Sequence, residues 1–259
     1  DSAEPPAASQ SFLERVAASF EANLLRERRY LLILDGLKTT VIISLLSTLF
    51  GSLLGAVTCF MRMSPLPILN LPARIYIAVL RGTPVLVVLM LVFYVVFASV
   101  DINPVLAAVL AFGMNFAAYI AEVFRTGIEG VDQGQTEAGL AMGFSRIATF
   151  RYVVLPQMLR RILPIYKGEF ISLVKMTSIV GYIAVQDLTK ASDIIRSRTF
   201  DAFFPLIFVA FLYFIISGLF IRLIDYVEFR IDPKLRRDYR RRRQQSAAAS
   251  LAADGEVQP

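Results

Sequence analysis

The segment that decides the fold reads QTEAGLAMG at positions 135–143 and, after nine further residues, VVLP at positions 153–156. It is polar, amphipathic and prone to form a helix, and a long apolar stretch lies on each side of it. A segment this short and polar does not cross a bilayer, because a spanning helix needs about 20 mostly apolar residues. We therefore predict that it lies in water at one face of a membrane.

The composition places the rest of the chain in that membrane. Of the 259 residues, 56% are hydrophobic, and the mean hydropathy is +0.60. A soluble domain of this size carries more charge and fewer apolar runs. The chain has no His and a single Cys, Cys59, which excludes the usual zinc sites, Cys–His nucleophile pairs and internal disulfides. A membrane enzyme is therefore disfavoured, although Ser or Asp could still act as a catalytic group.

The two ends of the sequence differ from its centre. Residues 1–10 are rich in Pro, Ala and Ser and are predicted to be a linker. Because the sequence begins without Met, we expect a processed or truncated piece of a longer polypeptide. Residues 11–35 alternate apolar and charged side chains at helical spacing, which predicts an amphipathic helix along the membrane interface that ends at Gly36. Residues 233–259 form a basic tail whose end is expected to be disordered.

Residues 36–232 are predicted to form an all-α, polytopic transmembrane domain with five spans. The spans are predicted at 39–61, 71–97, 103–123, 162–184 and 202–224. The first span contains Gly51 and Gly55, a spacing that lets two membrane helices approach closely. The third begins at Asn103-Pro104, a helix cap followed by proline in the first turn.

The distribution of positive charge orients these spans. Five spans put the termini on opposite sides, and the arginine-rich tail is expected to be cytoplasmic, with the N-terminus outside. This orientation also makes the 135–156 segment cytoplasmic, in agreement with the five arginines around it: Arg125, Arg146, Arg151, Arg160 and Arg161. Basic residues before the first span and between the last two disagree, so an even number of spans is the competing prediction.

Three motifs resemble one family of transport proteins. Glu137-Ala138, four residues and Gly143, followed nine residues later by a β-branched residue, any residue and Leu155-Pro156, closely resembles the cytoplasmic coupling loop of ABC-importer permeases. Gly139 stands where that family has a second Ala. LRGTP at 80–84 and KGEFISLVKMTS at 167–178 are similar to motifs on spans 2 and 4 of the polar amino-acid branch. The resemblance covers roughly residues 35–232.

The resemblance implies a multi-subunit importer in the cell inner membrane. Such a permease works with a second permease chain, identical or homologous, and with two cytoplasmic ABC ATPases that hold ATP and Mg. An external amino-acid-binding protein, or a binding domain fused in front of the permease, delivers a polar amino acid. This chain has no Gly-x-x-x-x-Gly-Lys-Ser/Thr loop, so it is expected neither to hydrolyse ATP nor to hold a cofactor itself. Its basic residues follow the topology pattern, and no nucleic-acid partner is predicted.

In that family, residues 133–156 would form a short helix that docks in a groove of the ATPase. Glu137, placed near the start of this helix, suits the helix dipole and could meet a basic residue of the ATPase. Gly139 keeps the small side chain that close docking needs, and Gly143 permits the sharp turn after the helix. Pro156 is predicted to end the return segment and redirect the chain. The alternative is an amphipathic surface helix on which Glu137 is merely solvated.

Ionisable residues within span 4 suggest a transport path. Each costs about 2.5–3.5 kcal/mol on insertion scales, so such groups usually face a cavity or a partner. At 100° per residue, four polar or flexible side chains fall within an arc of about 120° and could bind the two ends of a zwitterion: Glu169, Ser172, Lys175 and Met176. The resemblance associates the Glu169 and Lys175 positions with substrate contact. It often has an acidic residue where Met176 stands, which does not favour a cationic substrate side chain. The alternative is a structural ion pair of Glu169, with Lys167 extending to the interface.

Span 2 carries an arginine within its apolar run. Gly82, Thr83 and Pro84 follow Arg81 and weaken the helix there, which predicts a kink that belongs to the passage or to a gate. The alternative is a continuous helix on which Arg81 extends to the interface. On span 3, Asn115 is predicted to bond between helices and Glu122 to lie at the interface.

Three rival functions remain open. A permease of another ABC importer, for sulfonates or metal complexes, would share the Glu137 loop but need not share LRGTP. A channel or ion-coupled carrier would transport without an ATPase. The third is the membrane enzyme, which the absence of His argues against.

Overall fold

A computed structural model describes residues 12–231, and within this range every regular element is helical. The predicted linker at 1–10 and the basic tail at 233–259 lie outside the described residues. Ten α-helices follow one another along the chain: α1 Phe12–Phe20, α2 Tyr30–Met63, α3 Pro67–Gly82, α4 Val85–Leu91, α5 Pro104–Glu129, α6 Gln133–Ala141, α7 Arg146–Thr149, α8 Leu155–Met176, α9 Leu188–Thr199 and α10 Phe204–Ile231. The prediction of an all-α protein is confirmed.

The N-terminal segment is not one helix, contrary to the prediction for 11–35. Helix α1 gives way to a π-helical turn at 21–25 and a 3-10 turn at 26–28, where Glu27 and Arg28 have φ of 54°. Helix α2 then begins at Tyr30 and continues through Gly36. The prediction that Gly36 ends a helix is therefore wrong. A Cβ atom on Gly36 would lie 2.6 Å from the backbone oxygen of Asp187, so the glycine serves close packing of α2 on the start of α9.

Helix α2 packs closely on α5 through two of its glycines. A Cβ on Gly51 would lie 2.7 Å from the backbone oxygen of Gly113, and one on Gly55 would lie 3.1 Å from that of Ala117. The predicted packing role of this glycine pair is confirmed, and its partner is a helix of the same chain. The core that forms around this contact includes Ile43, Leu89, Phe112, Val180 and Ile183.

Span 2 is broken at Thr83-Pro84. Helix α3 ends at Gly82, helix α4 begins at Val85, and the axes of the two helical stretches meet at 111°. Proline cannot donate the hydrogen bond that would continue α3. Its carbonyl instead accepts from the N–H groups of Val87 and Val88, which starts α4. The predicted kink is confirmed and the continuous helix is excluded.

The number of membrane crossings depends on how two bent helix pairs are counted. Among the described residues, α2, α5 and α10 are long and apolar enough to cross a bilayer alone. The pair made of 67–82 and 85–96, and the pair made of 146–183 and 188–199, pass the same test only together. Five crossings result if each bent pair forms one span, which agrees with the sequence-based count.

The chain divides into two compact units. One comprises the chain up to Arg125 together with Gly168–Ser217, and the other comprises Thr126–Lys167 together with the chain from Gly218 onward. In the first, α1–α4 and α9 pack with parts of α5, α8 and α10. The second contains α6, α7 and the first part of α8.

A buried carboxylate organises the start of α9 in the first unit. Asp187 is fully buried and accepts hydrogen bonds from the N–H groups of Thr189 and Lys190, at 3.0 and 2.9 Å, and from the Tyr213 hydroxyl at 3.1 Å. The Thr40 hydroxyl accepts from the N–H of Leu188 beside it, at 3.4 Å. These bonds join α2, α9 and α10 at one point.

Replacing Asp187 with Ala should lower the free energy of unfolding by about 2 kcal/mol. The change removes a helix cap, worth about 1 kcal/mol, and leaves the Tyr213 hydroxyl without this acceptor. The thermal midpoint of the purified protein in detergent should fall by several degrees. Asp193→Ala is the matched control, since its exposed pair with Arg196 is worth at most about 1 kcal/mol. Equal thermal midpoints for the two variants would show that Asp187 does not stabilise the start of α9.

A second carboxylate holds the turns after α1. Asp201 accepts hydrogen bonds from the N–H groups of Phe203 and Phe204 and from the Asn23 side chain, at 3.0, 3.2 and 2.8 Å. Burial alone would raise the pKa of Asp201, but these hydrogen bonds together lower it. The ring of Phe20 adds edge contacts to Phe204 and Phe208. The N-terminal segment is thus held against the start of α10.

Candidate functional site

A small pocket in the first unit is shared by α5 and α8. Its wall is formed by Phe112, Asn115, Phe116 and Tyr119 of α5 and by Glu169, Leu173 and Met176 of α8. The α5 residues lie on one face because their spacing follows the helical period. The cavity volume is about 10 Å³ for the centre of a water molecule, which is room for one water. In this conformation the pocket is closed to a larger solute.

Arg81 brings positive charge to this pocket from the end of α3. Its guanidinium carbon lies 5.1 Å from the centre of the Tyr119 ring, within the range of a cation–π interaction. The Asn115 side-chain amide donates to the backbone oxygen of Leu80 at 3.0 Å, which confirms its predicted bond between helices and anchors the end of α3.

The structure brings together only part of the predicted path. Glu169 and Met176 line the pocket and Arg81 lies against its wall residue Tyr119, whereas Ser172 and Lys175 do not line it. The Thr83 hydroxyl donates to the backbone oxygen of Val79 at 2.8 Å, a local bond near the break of span 2. The sequence analysis missed Tyr119 and the two phenylalanines as wall residues. Their helical spacing around Asn115 is the signal that could have identified them.

Lys167, also on α8, does not line this pocket. Its ammonium group pairs with Asp225 at 2.5 Å and with Glu228 at 3.4 Å, both on α10. On span 3, Glu122 pairs with Arg125 at 2.7 Å and with Arg62 at 3.7 Å. Lys167 therefore has two carboxylate partners within the chain, and its predicted extension to the interface stays a prediction.

The segment at 133–156, which we call the coupling segment, belongs to the second unit. Helix α6 begins after Asp132, whose carboxylate accepts from the N–H of Gly134 at 2.7 Å. Glu137 is therefore in the middle of α6 rather than near its start, and Asp132 is the acid that caps the helix. The side chain of Glu137 is exposed. It remains available to a partner, but its expected interaction with the helix dipole is wrong.

Helix α6 ends in the sharp turn that Gly143 was predicted to permit. Gly143 has φ of +87°, a conformation in which other residues are strained. The N–H of Phe144 bonds to the oxygen of Gly139 at 3.1 Å, and the N–H of Gly143 bonds to that of Leu140 at 3.0 Å. This pair of bonds is the Schellman motif. It fixes the direction in which the chain leaves α6.

Gly139 has a packing role within the chain. It is buried, and a Cβ atom on it would lie 2.6 Å from the methyl carbon of Thr149. Close approach of α6 and α7 therefore accounts for a residue without a side chain at this position. The role in docking that the sequence analysis gave to Gly139 stays a prediction.

Pro156 does not redirect the chain, contrary to the prediction. Helix α7, a π-helical turn at 150–154 and helix α8 follow without interruption, so Leu155 and Pro156 form the first residues of α8. One helix thus carries Leu155 and Pro156 at its start and Glu169 and Met176 at its end.

The coupling segment exposes large apolar side chains. The exposed fraction is 76% for Met142, 80% for Ile147 and 66% for Tyr152. Arg146 and Arg151 lie exposed beside them. Apolar groups framed by charges are typical of a surface that another protein covers. The surface formed by Met142, Phe144, Ile147 and Tyr152 is called the apolar docking surface below.

The fold defines a class of protein: a polytopic membrane protein with a small pocket that contains an acid and with an exposed helical segment at 133–156. The model of the family described as "Binding-protein-dependent transport system inner membrane component" matches residues 37–233. The chain belongs to this family and is a permease subunit of an ABC transporter. It is therefore a multi-pass inner-membrane protein, and no ATPase domain is indicated in it.

Several curated proteins resemble the chain along most of their length. The glutamine transport system permease GlnP of Escherichia coli K12 is 38% identical over 72% of this chain and 86% of its own. The L-cystine transport system permease TcyB of Bacillus subtilis 168 is 34% identical over 81% of this chain and 91% of its own. From the same organism, the probable amino-acid ABC transporter permease YckA is 35% identical, over 72% and 83%.

Solved structures agree with the fold. A chain in the crystal structure of an amino acid ABC transporter with histidines superposes with a TM-score of 0.71 at 36% identity, covering 86% of this chain and 99% of that one. A chain of the MetNI methionine ABC transporter in an inward-facing form gives a TM-score of 0.67 at 21% identity, covering 78% and 96%. The second likeness shows the fold alone.

Proposed function

We propose that this permease carries a polar amino acid across the inner membrane, driven by ATP hydrolysis on separate ATPase subunits. One observation carries the proposal: the Arg81 guanidinium lies over the ring of Tyr119, a wall residue of the pocket that also contains Glu169. Ionisable groups at such depth are costly and are retained for a substrate or a partner. The amino-acid names of the relatives support the same solute class.

The pocket suits the two charged ends of an amino acid. The Arg81 guanidinium would bind the substrate carboxylate through paired hydrogen bonds, and the Glu169 carboxylate would accept from the ammonium group. Tyr119 stacks against Arg81 and limits where its guanidinium can point. Since the pocket holds only about one water molecule in this conformation, transport requires α5 and α8 to separate.

The motion driven by ATP binding would be transmitted to the permease through α6 and the apolar docking surface. Closure of two ATPase subunits around ATP and Mg would move a helix seated in their groove. The Schellman turn at Gly143 fixes the direction in which the chain leaves α6. Glu137, exposed on α6, would meet a basic residue of the ATPase.

The remaining assembly follows from the topology. We place the C-terminus and the coupling segment in the cytoplasm and the N-terminus outside, by the positive-inside rule. A second permease chain, identical or homologous, supplies the other half of the pathway. An external binding protein, or a binding domain fused before Asp1, delivers the amino acid.

Co-purification tests the proposed assembly. The tagged chain, extracted in mild detergent from its own organism, should bring down an ATPase with a Walker motif in roughly equal amount, identified by mass spectrometry. A second permease in the sample would show a heterodimer, and its absence would show two copies of this chain. No ATPase under several gentle extraction conditions would contradict the proposal and favour a channel or carrier.

Replacing Met142 and Ile147 together with Asp should reduce the co-purified ATPase by about tenfold or more, because buried apolar contacts dominate protein interfaces. Both side chains are exposed in this chain, so membrane insertion should not change. The control is Gln133→Ala at the exposed start of α6, which should retain the ATPase. Full retention by the double variant would show that the apolar docking surface does not bind the ATPase.

A further inference from the structure

A second, larger pocket lies entirely in the second unit. Its volume is about 480 Å³ for the centre of a water molecule, which is within the range of sites that hold a small ligand. It is lined by the 130–132 connection between α5 and α6, by Gln135 of α6, and by Gln157, Arg160 and Arg161 of α8. The pocket that contains Glu169 shares none of these residues, so the proposed transport path leaves them without a role.

The backbone of the α5–α6 connection holds Arg161 in this pocket. The Arg161 guanidinium donates to the carbonyl oxygen of Gly130 at 2.5 Å. Gly130 permits this contact, because a Cβ atom there would lie 2.7 Å from the guanidinium carbon. An arginine has five N–H donors. One bond therefore fixes the position of the Arg161 group, and its other donors stay available to a ligand.

The charges of the lining favour an anion. The Arg160 side chain is exposed and has no ion pair or hydrogen bond within the described part of the chain. The one acid of the lining, Asp132, already accepts from the N–H of Gly134 as the cap of α6. Two guanidinium groups thus outweigh one carboxylate. Guanidinium groups with available donors are suited to phosphate, which accepts several hydrogen bonds at once.

The pocket lies next to the end of a membrane-crossing helix. Helix α5 is long and apolar enough to cross a bilayer alone, and Gly130 follows its last residue, Glu129. On α8, Leu159 precedes the two arginines and Ile165 follows them, and both apolar side chains are exposed. Arginines beside exposed apolar side chains are typical of the boundary between acyl chains and headgroups. Basic pockets at this depth bind the headgroups of anionic lipids.

We propose that this pocket binds a phosphate group, and that the phosphate belongs to the headgroup of an anionic phospholipid. Arg160 and Arg161 would donate to the phosphate oxygens, and the acyl chains would stay in the bilayer. A free phosphate compound offers the same anion without the chains, but the position at the end of a spanning helix favours the lipid. The lipid site uses none of the residues proposed to bind the amino acid, so its failure would leave the transport path untouched.

Native mass spectrometry of the full chain, purified in mild detergent and stripped of endogenous lipid, tests this site. Phosphatidylglycerol supplies an anionic headgroup, phosphatidylcholine supplies a phosphate in a headgroup without net charge, and inorganic phosphate supplies the anion without acyl chains. Phosphatidylglycerol should bind about tenfold more tightly than phosphatidylcholine. Excess inorganic phosphate should displace no more of it than chloride does at the same ionic strength.

Replacing Arg160 and Arg161 together with Gln should weaken phosphatidylglycerol binding by about tenfold or more. The matched control, Arg146→Gln with Arg151→Gln, removes two charges of the coupling segment outside the pocket and should bind as wild type does. Gly130→Ala keeps both arginines but places a Cβ against the Arg161 guanidinium, so it should bind more weakly than wild type. If the Arg160/Arg161 variant does not fold, the lipid preference of the wild type still decides the charge class of the headgroup.

Three results would overturn the inference. Equal wild-type binding of the two lipids would refute a site for an anionic headgroup. Displacement by inorganic phosphate beyond that by chloride would assign the pocket to a free phosphate compound instead of a lipid. Equal losses in the Arg160/Arg161 and Arg146/Arg151 variants, with wild-type binding by Gly130→Ala, would show that the lipid responds to total charge and not to this pocket.

Discussion

Replacing Gly143 with Val abolishes ATP-dependent uptake while the protein still inserts in the membrane. Gly143 has φ of +87°, and a β-branched residue is strongly disfavoured there. The expected result is loss of the Schellman bonds at the end of α6. The turn would then open, and α6 and the apolar docking surface would no longer reach the ATPase groove together. Uptake by proteoliposomes should fall to the level measured without ATP.

The matched variant for this prediction is Gly143→Asn. Asn tolerates the left-handed region better than other residues with a side chain, so uptake should remain a substantial fraction of wild type. If Val and Asn variants transport equally well, backbone conformation at Gly143 is not needed for coupling. If both lose uptake equally, the side chain itself obstructs docking and the conformational explanation is wrong.

The second large effect is expected at the pocket. Glu169→Gln should raise the substrate concentration required for half-maximal uptake by about 10- to 100-fold, because a hydrogen bond to a charged group is worth about 1.5–3 kcal/mol. Arg81→Lys should also weaken uptake, since an ammonium group cannot make the paired bonds of a guanidinium. Initial uptake rates over a range of amino-acid concentrations measure both effects.

Asp101→Asn provides the control for these pocket variants, because Asp101 is an exposed carboxylate in the turn before α5. Its uptake should match that of wild type, and all variants should reach the membrane in equal amounts. Unchanged kinetics of Glu169→Gln would make Glu169 a structural partner of Arg81. The proposal that Arg81 and Glu169 bind the two charged ends of the amino acid would then be wrong.

The features that the sequence predicted well depend on local chemistry. A proline after Gly82-Thr83 cannot continue a helix, and the break of span 2 lies there. A glycine after an amphipathic stretch favours a left-handed turn, and Gly143 forms one. The Gly51/Gly55 pair has the spacing of close helix packing, and it packs on α5. In the first two cases local residues set the backbone, and in the third the missing side chains permit close approach of another helix.

The features that the sequence predicted wrongly depend on distant residues. Gly36 reads as a helix end, but the carbonyl of Asp187 requires a glycine there inside a long helix. The sequence around Pro156 predicts the end of a segment, but the π-helical turn before it leads directly into α8. The helical spacing around Asn115 marks Tyr119 as a residue of the same face, but the sequence does not show that α8 packs against that face. The packing partner of a helix leaves no local pattern.

The most direct test of the account is uptake by proteoliposomes that contain this chain, its co-purified permease and ATPase, and the binding protein. Radiolabelled amino acids are supplied outside, with ATP and Mg or ATP-free buffer enclosed. We predict that an amino acid accumulates against its gradient only with enclosed ATP and that Glu169→Gln reduces this accumulation. Equal uptake with and without ATP, or no uptake of any amino acid by an intact complex, would contradict the account.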